Sequence, residues 1–327
     1  MVDPIRWGIL STANIGRRVI PAIHNSINGV VAAVASRNME RAQAFAEEQN
    51  IPKVYGSYEE LLADETIDAI YNPLPNQMHA EWSVKCAEAG KATLCEKPLA
   101  SDADEAQMMV DNFREKGVLF AEAFMYRFHP QNQRVQQMVQ NGAVGDVRVL
   151  HSSFTFPISN EANIRLSKEL AGGALMDVGC YCINVMRFLS GEEPLAGEAF
   201  AQFGTDSDVD ETITGILRFP SGALGHLDAS LRTSFANTYE IRGSSGRIFV
   251  PHAFVARPDM TTQIHYWHGD EYEIIDVPPV DQYQLMVEDF ADALLNHRAP
   301  RYAPEDAVAN MRVIDMLLQS AREHSQN

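Results

Sequence analysis

The tripeptide Glu96-Lys97-Pro98 closes an apolar run, Ala92-Thr93-Leu94-Cys95. Ligands of open α/β sheets bind beyond the carboxyl ends of the strands, so an amine fixed there by a stiff proline could reach a bound ligand. Taken alone, the tripeptide also fits a solvated lysine in a turn. A second candidate is Gly8-Ile9-Leu10-Ser11-Thr12-Ala13-Asn14-Ile15-Gly16, which leads from an apolar stretch into helical spacing. A dinucleotide-binding turn asks for G-x-G-x-x-G at such a place, and this chain offers Ser11-x-Ala13-x-x-Gly16. Small residues keep the turn tight, and backbone amides from Ser11 through Thr12, Ala13, Asn14 and Ile15 could then take phosphates at a helix N-terminus. An unspecialised β–α turn would use the same small residues. At the end of the next strand stand Ser36 and Arg37, where an NAD site carries an acid for the ribose 2′-hydroxyl. A hydroxyl and a guanidinium suit a 2′-phosphate better. The expected cofactor is therefore NADP, with Arg41 assisting one helical turn later. The alternative is a surface arginine at a strand end.

Regular alternation must position these groups. Strand patterns at Arg6–Leu10, Val30–Ser36, Asp68–Asn72, Ala92–Cys95 and Val118–Glu122 alternate with helical patterns at Asn14–Ile27, Met39–Gln49, Asn76–Glu88 and Ala103–Lys116. Ser57 and Glu60 form a capping box, and Ser101 is the expected cap of the helix at Ala103. Such alternation predicts a doubly wound parallel sheet of Rossmann type over residues 1–123. From residue 124 the pattern changes. Helices near Gln131–Asn141 and Ala174–Leu189 flank a strand at Val147–Phe156, and seven further strand-like runs follow from Glu198 to Asp276 before two closing helices. Short links such as Ser221-Gly222 and Ser245-Gly246 predict an open, mostly antiparallel sheet with helices on one face, an α+β domain over 124–327.

Composition narrows the function. The formal net charge is -18, which argues against a nucleic-acid partner. No apolar run reaches the roughly 18 residues of a membrane span, and no targeting segment is visible, which points to the cytoplasm. The acidity fits a saline habitat or an ordinary soluble surface. Cys86, Cys95, Cys180 and Cys182 form neither a zinc pattern nor a disulfide framework. His265 and His268 are three apart on a strand pattern and face opposite sides, so no metal is expected.

Taken in order, several segments resemble one family. They are the first β–α turn, Asn72-Pro73-Leu74-Pro75-Asn76-x-x-His79, Glu96-Lys97-Pro98, Glu122-Ala123-Phe124-Met125-Tyr126-Arg127-Phe128-His129-Pro130, and Gly172-Gly173-Ala174-Leu175-Met176-Asp177-Val178-Gly179-Cys180-Tyr181. The chain resembles, over essentially its whole length, the glucose–fructose oxidoreductase, inositol dehydrogenase and rhizopine-catabolism (Gfo/Idh/MocA) family. Tyrosine at 181, where many members carry histidine, is similar to the branch holding glucose–fructose oxidoreductase, NADP-dependent D-xylose dehydrogenase and dimeric dihydrodiol dehydrogenase.

The resemblance implies Lys97, Tyr181 and Asp177 as catalytic residues. Asp177 and Tyr181 are four apart and share a helix face, and a phenol beside an ammonium group has its phenolate favoured. Lys97 and Tyr181 are expected to meet across an interdomain cleft. There Tyr181 takes the proton of a sugar hydroxyl while hydride leaves its carbon, Lys97 steadies the oxyanion, and Asp177 orients Lys97 or the substrate. The resemblance further implies a cis Lys97–Pro98 bond and cofactor contacts from Pro73, Leu74, Asn76, His79, Glu96, Lys97 and Arg165. In Asn163-Ile164-Arg165, Ile164 stands where the family often has an aromatic residue. Tyr126, Arg127, Phe154, Tyr283, Asp177 and Tyr181 are expected around the substrate, each of the first four being equally a core residue. The expected activity is NADP-dependent oxidation of a sugar, aldose C1 first. Alternatives are trans-dihydrodiol oxidation, a hydride shuttle between sugars with tightly held NADP, and a non-catalytic dinucleotide sensor. The open sheet face predicts a homodimer or a dimer of dimers.

Overall fold

The alternating first third of the chain forms a parallel sheet. Strands β1 (Ile5–Leu10), β2 (Gly29–Ala35), β3 (Lys53–Tyr55), β4 (Ala69–Asn72), β5 (Ala92–Cys95) and β6 (Phe120–Glu122) lie in the order β3-β2-β1-β4-β5-β6, every neighbour parallel. Helices α1 (Gly16–His24), α2 (Met39–Gln49), α3 (Tyr58–Leu62), α4 (His79–Glu88) and α5 (Ala103–Lys116) make the connections. The central strands are buried along nearly their whole length, as a sheet covered on both faces requires. The strand order reverses between β1 and β4, the switch point where such sheets bind ligands. This computed structural model describes residues 3–325, so residues 1, 2, 326 and 327 of the expected domains lie outside it.

Three local expectations need correction. The first helix starts at Gly16 rather than Asn14, because residues 11–15 form the turn, and it ends at His24, where Ser26 folds back to donate to Ile23 O. The cap of α5 is Asp102, which accepts from the Glu105 amide at 2.8 Å, and not Ser101. The short strand β3 was not anticipated. It pairs with β2 through only three residues.

Backbone contacts divide the chain into two units. One runs to Met125 and takes in Tyr283–Val308; the other comprises Tyr126–Gln282 and the chain from Ala309 on. The first unit is thus larger than the sequence pattern suggests. Helix α8 (Gln282–Leu295) supplies Phe290 against the Trp7 ring at 5.3 Å and Glu288 O to Asn28 Nδ2 at 2.9 Å. Helix α9 (Pro304–Ser325) begins in the first unit and continues in the second.

In the second unit, helix α6 (Pro130–Gln140) precedes β7 (Val147–Thr155), and helix α7 (Cys180–Ser190) precedes β8 (Ala196–Phe203), β9 (Asp210–Arg218), β10 (Leu224–Ser230), β11 (Ala236–Gly243), β12 (Gly246–Val250), β13 (Thr262–His268) and β14 (Glu271–Val277). The sheet order is β14-β13-β12-β11-β7-β10-β9-β8. All neighbours are antiparallel except β7 and β10. Helix α7 packs on β7 and β10, and Leu317 of α9 packs near Gly197 and Gly215. The opposite face leaves Phe200, Ile216, Leu224 and Ile274 exposed among His151, His226 and Arg218. Among the described residues no helix is long and apolar enough to cross a membrane.

Candidate active site

In the first unit the chemistry-bearing residues collect at the carboxyl ends of the parallel strands. After β1, Ser11 adopts a left-handed φ of 72°, the conformation for which a fingerprint glycine is ordinarily used. Its hydroxyl accepts from the Ala13 amide at 3.2 Å, which helps a non-glycine residue hold the turn. Among the described residues the amides of Thr12, Asn14 and Ile15 have no acceptor, and the first turn of α1 opens with Gly16 N donating to Ala13 O. A Cβ on Gly16 would come within 3.1 Å of the Phe45 ring, so glycine lets α1 lie close to α2. Free amides at the head of a helix, on a tight turn at the switch point, fit a pyrophosphate. After β2, the Ser36 hydroxyl accepts from the Asn38 amide at 3.2 Å, and Arg37 and Arg41 are exposed. Burial pushes the Tyr58 phenol up, and the Arg37 guanidinium beside it partly offsets this. No carboxylate side chain occupies residues 35–38, so the donor set fits a 2′-phosphate.

Beyond β4, Asn72 folds the chain over itself. Its Oδ1 accepts from Leu74 N and its Nδ2 donates to Ser83 Oγ at 3.0 Å. Pro73 and Leu74 are buried, and half-buried Asn76 opens a single 3₁₀ turn before α4. His79 is fully buried, with Nε2 2.7 Å from Leu74 O and Nδ1 3.0 Å from Pro98 O. Burial above all, and the Lys97 charge to a lesser degree, pushes this imidazole down to about 4 despite the carbonyls. A neutral ring has one N–H, and the shorter contact makes Nε2 the better place for it. Donating through Nε2 to Leu74 O, His79 ties the head of α4 to the β4 loop, while its ring packs beside Pro98 O of the β5 loop. Beyond β5, Glu96 Oε1 accepts from the Tyr71 hydroxyl at 2.5 Å, Lys97 is half-buried, and the Lys97–Pro98 peptide is cis.

In the second unit Asp177 lies in a π-helical turn, Leu175–Gly179, that runs into α7 carrying Tyr181. Wide turns of this kind often occur at functional sites. Gly179 serves packing: a Cβ there would stand 2.6 Å from Leu175 Cδ1 and 3.2 Å from Ala229 Cβ on β10. Asp177 Oδ2 accepts from Arg165 Nε at 2.7 Å, so two residues assigned separate roles form one ion pair. Tyr181 is 4% exposed. Its ring lies 5.3 Å from Phe154, 5.3 Å from Phe254 and 5.8 Å from Tyr126.

The other substrate-side expectations fall as follows. Tyr126 is fully buried and donates its hydroxyl to Asn184 Oδ1 at 2.6 Å. Arg127 is buried with its guanidinium 4.9 Å from the Phe188 ring. Phe154 is buried in the aromatic layer. Tyr283 belongs to the first unit, where the Arg18 guanidinium lies 5.7 Å from its ring.

Asp210 escaped the sequence reading. It is buried at the start of β9 and accepts from Leu175 N at 2.7 Å, capping the helical run that carries Asp177 and Tyr181. Gly173, with a φ of 120°, makes room, since a Cβ there would collide with Asp210 Oδ1. Burial lifts Asp210 to about 7 against the pull of the Leu175 and Ala174 amides. A signal for it existed: the run begins Gly172-Gly173-Ala174-Leu175, without a capping side chain of its own, so the cap had to come from elsewhere.

Known proteins resemble this chain over most of its length. An oxidoreductase family with an NAD-binding Rossmann fold (GFO_IDH_MocA) matches residues 5–124, and the GFO/IDH/MocA C-terminal domain matches residues 132–249. A D-xylose 1-dehydrogenase (NADP(+)) of Haloferax volcanii is 39% identical, over 96% of this chain and 97% of its own. A trans-1,2-dihydrobenzene-1,2-diol dehydrogenase of Xenopus laevis is 36% identical over 75% of each. Among solved structures, a 3-ketoreductase variant from Actinomadura kijaniata, in complex with TDP-benzene and NADP, superposes with a TM-score of 0.92 at 33% identity, over 97% of this chain and 98% of that one.

Proposed function

The chain belongs to the Gfo/Idh/MocA oxidoreductase family, and from that premise we propose that it is an NADP-dependent oxidoreductase acting on a sugar, aldose C1 first. The observation that carries the reading is the placement of Tyr181, a phenol fixed in an aromatic layer four residues after a carboxylate that Arg165 holds. Relatives acting on D-xylose and on a dihydrodiol support a cyclic CH–OH substrate. In this reading the first unit binds the dinucleotide, and the second binds substrate and makes the contact between copies.

The Thr12, Asn14 and Ile15 amides hold the pyrophosphate, and Ser36 and Arg37 hold the 2′-phosphate, with Arg41 adding charge. Pro73, Leu74, Asn76 and Glu96 line the cofactor side, His79 fixing their loop. Bound NADP supplies the hydride acceptor. Tyr181, as its phenolate, takes the proton from the hydroxyl oxygen while the carbon gives up its hydride, so the alcohol becomes a carbonyl and Tyr181 a neutral phenol. Lys97 steadies the oxygen while it carries charge and favours the phenolate. The Arg165–Asp177 pair fixes the carboxylate that orients the substrate hydroxyls, and Tyr126 acts through the Tyr181 ring it supports. The exposed apolar side chains of the outer sheet face take a second copy of the chain. Four buried free thiols suit the reducing cytoplasm.

The test is formation of reduced nicotinamide with a panel of aldoses and a trans-dihydrodiol, with NADP and NAD in parallel. Turnover with an aldose and a clear preference for NADP is expected. Turnover with the diol alone moves the assignment to dihydrodiol oxidation. Tight NADP binding without turnover moves it to a shuttle or a sensor. Light scattering on the same preparation should give a dimer or tetramer, and a monomer removes the role given to the sheet face.

A further inference from the structure

Phe235 is 60% exposed. It immediately precedes β11, where Asn237, Tyr239 and Ile241 are buried. The two-residue period of a strand puts Phe235 on that same side, toward α7 and away from the open sheet face. Its ring meets Phe154 edge-on at 6.5 Å and 88°, and Phe154 meets Tyr181 edge-on at 5.3 Å and 66°. Phe154 is 5% exposed and Tyr181 4%. Three rings therefore run in series from the phenol to the surface, and only the last shows a face to solvent.

The loop beneath is rigidly built. Arg232 grips Glu211 through Nε and Nη2 at 2.7 and 2.9 Å, grips Glu161 through Nη1 and Nη2 at 2.8 and 2.7 Å, and donates to Ile158 O at 2.9 Å. Thr155 Oγ1 donates to Ser234 O at 2.5 Å, one residue before Phe235. A fork of this kind is preorganised and costs little further ordering on binding.

We propose that Phe235 is the specificity wall of the substrate site: it receives the apolar C–H face of a ring-shaped substrate whose hydroxyl Tyr181 deprotonates. This rests on the oxidoreductase reading above and deepens it. Six-membered rings that carry their hydroxyls at the rim, pyranoses and cyclic diols among them, present C–H bonds on their faces, and an aromatic plane with its negative π-face suits such C–H bonds. The site then favours closed rings, pyranoses and cyclic diols alike, over open-chain polyols, which present no such face.

The experiment compares wild type, Phe235→Ala and Phe235→Trp with one cyclic aldose that the wild type oxidises and with the corresponding open-chain polyol. In Phe235→Ala the KM for the ring should rise about three- to tenfold. Its kcat and NADP affinity should stay within about twofold, and Phe235→Trp should recover most of the loss. The KM for the polyol, wherever it is turned over, should not change. An unchanged ring KM in a wild-type-active enzyme overturns the wall and leaves the oxidoreductase reading intact. Equal losses on ring and polyol, or a change in oligomeric state with KM preserved, also overturn it. A wild type inactive on every sugar and diol overturns both.

Discussion

The two sheets of this protein solve the same problem in opposite ways. The parallel sheet of the first unit is covered on both faces, so nothing on its faces can meet a ligand. The residues proposed to bind cofactor and carry chemistry stand at the strand ends, where Ser11, Ser36, Arg37, Glu96 and Lys97 sit on loops. The β4 loop is held by backbone-directed bonds: Asn72 Oδ1 accepts from Leu74 N, and His79 Nε2 donates to Leu74 O. The second sheet is covered on one face only. The chemistry proposed for it rides on the covering helix, and positions there are set by side-chain packing, as with Tyr181 among Phe154, Phe254 and Tyr126. A site on loops is a matter of hydrogen-bonded turns, and a site on a packed helix is a matter of volume and caps.

The comparison breaks most visibly if only one unit contributes chemistry. Lys97→Met and Tyr181→Phe should each lower kcat by roughly 10²- to 10⁴-fold, the usual range for a lost acid–base or oxyanion-stabilising group. NADP affinity, measured by quenching of protein fluorescence, should change only a few-fold in Tyr181→Phe. If Lys97→Met retains wild-type kcat, the reaction belongs to the second unit alone and the β5 loop is a cofactor support.

Next in size is the cap of the second unit's helix. The folded value of Asp210, about 7, lies above the roughly 3.9 of an unfolded aspartate. The folded chain therefore holds this proton more tightly. The stability it contributes is complete below about pH 4 and is lost as the pH rises through about 7. Asp210→Asn keeps one acceptor oxygen for Leu175 N and cannot ionise. Between about pH 5 and pH 8 the wild type should lose stability relative to the variant, by a few kcal/mol at most. Denaturant unfolding of both proteins across that range measures this. Parallel pH profiles would mean that the carboxylate is charged throughout, its amide donors outweighing burial.

How far the sequence could be read follows the same division. Apart from the three-residue edge strand β3, the first sheet was legible because its signals are local: a period of two, a period of 3.6, a turn between them. The Ser11 turn, the Arg37 strand end and the Glu96-Lys97-Pro98 loop could be located for that reason. In the second unit the existence of the strands was legible and their order was not. β7 lies between β10 and β11, parallel to one and antiparallel to the other, a pairing between residues far apart in the chain that no local pattern encodes. The ion pair of Arg165 with Asp177, the burial of Tyr126 against Asn184 and the cap from Asp210 are likewise products of folding. Residue types near a motif announced chemistry, but which of them face a partner depended on neighbours tens of residues away.

The smallest effect returns to the first unit and tests whether local signals suffice even there. A serine and an aspartate both precede α5, and both are good caps by type. The structure uses only one: Asp102 Oδ1 accepts from Glu105 N at 2.8 Å, while the buried Ser101 hydroxyl has no partner. The reason is position: Asp102 is the N-cap, whose side chain reaches the amide three residues on, and Ser101 stands one residue before it, outside the helix. Meanwhile Ser101 N donates to Glu105 Oε2 at 3.1 Å, so its backbone carries the reciprocal half of the motif. Asp102→Ala should therefore cost about 1 kcal/mol, and Ser101→Ala, which removes no bond, should cost much less. Equal losses in thermal unfolding would show that the cap is shared, and that a one-residue ambiguity in the sequence persists in the folded helix.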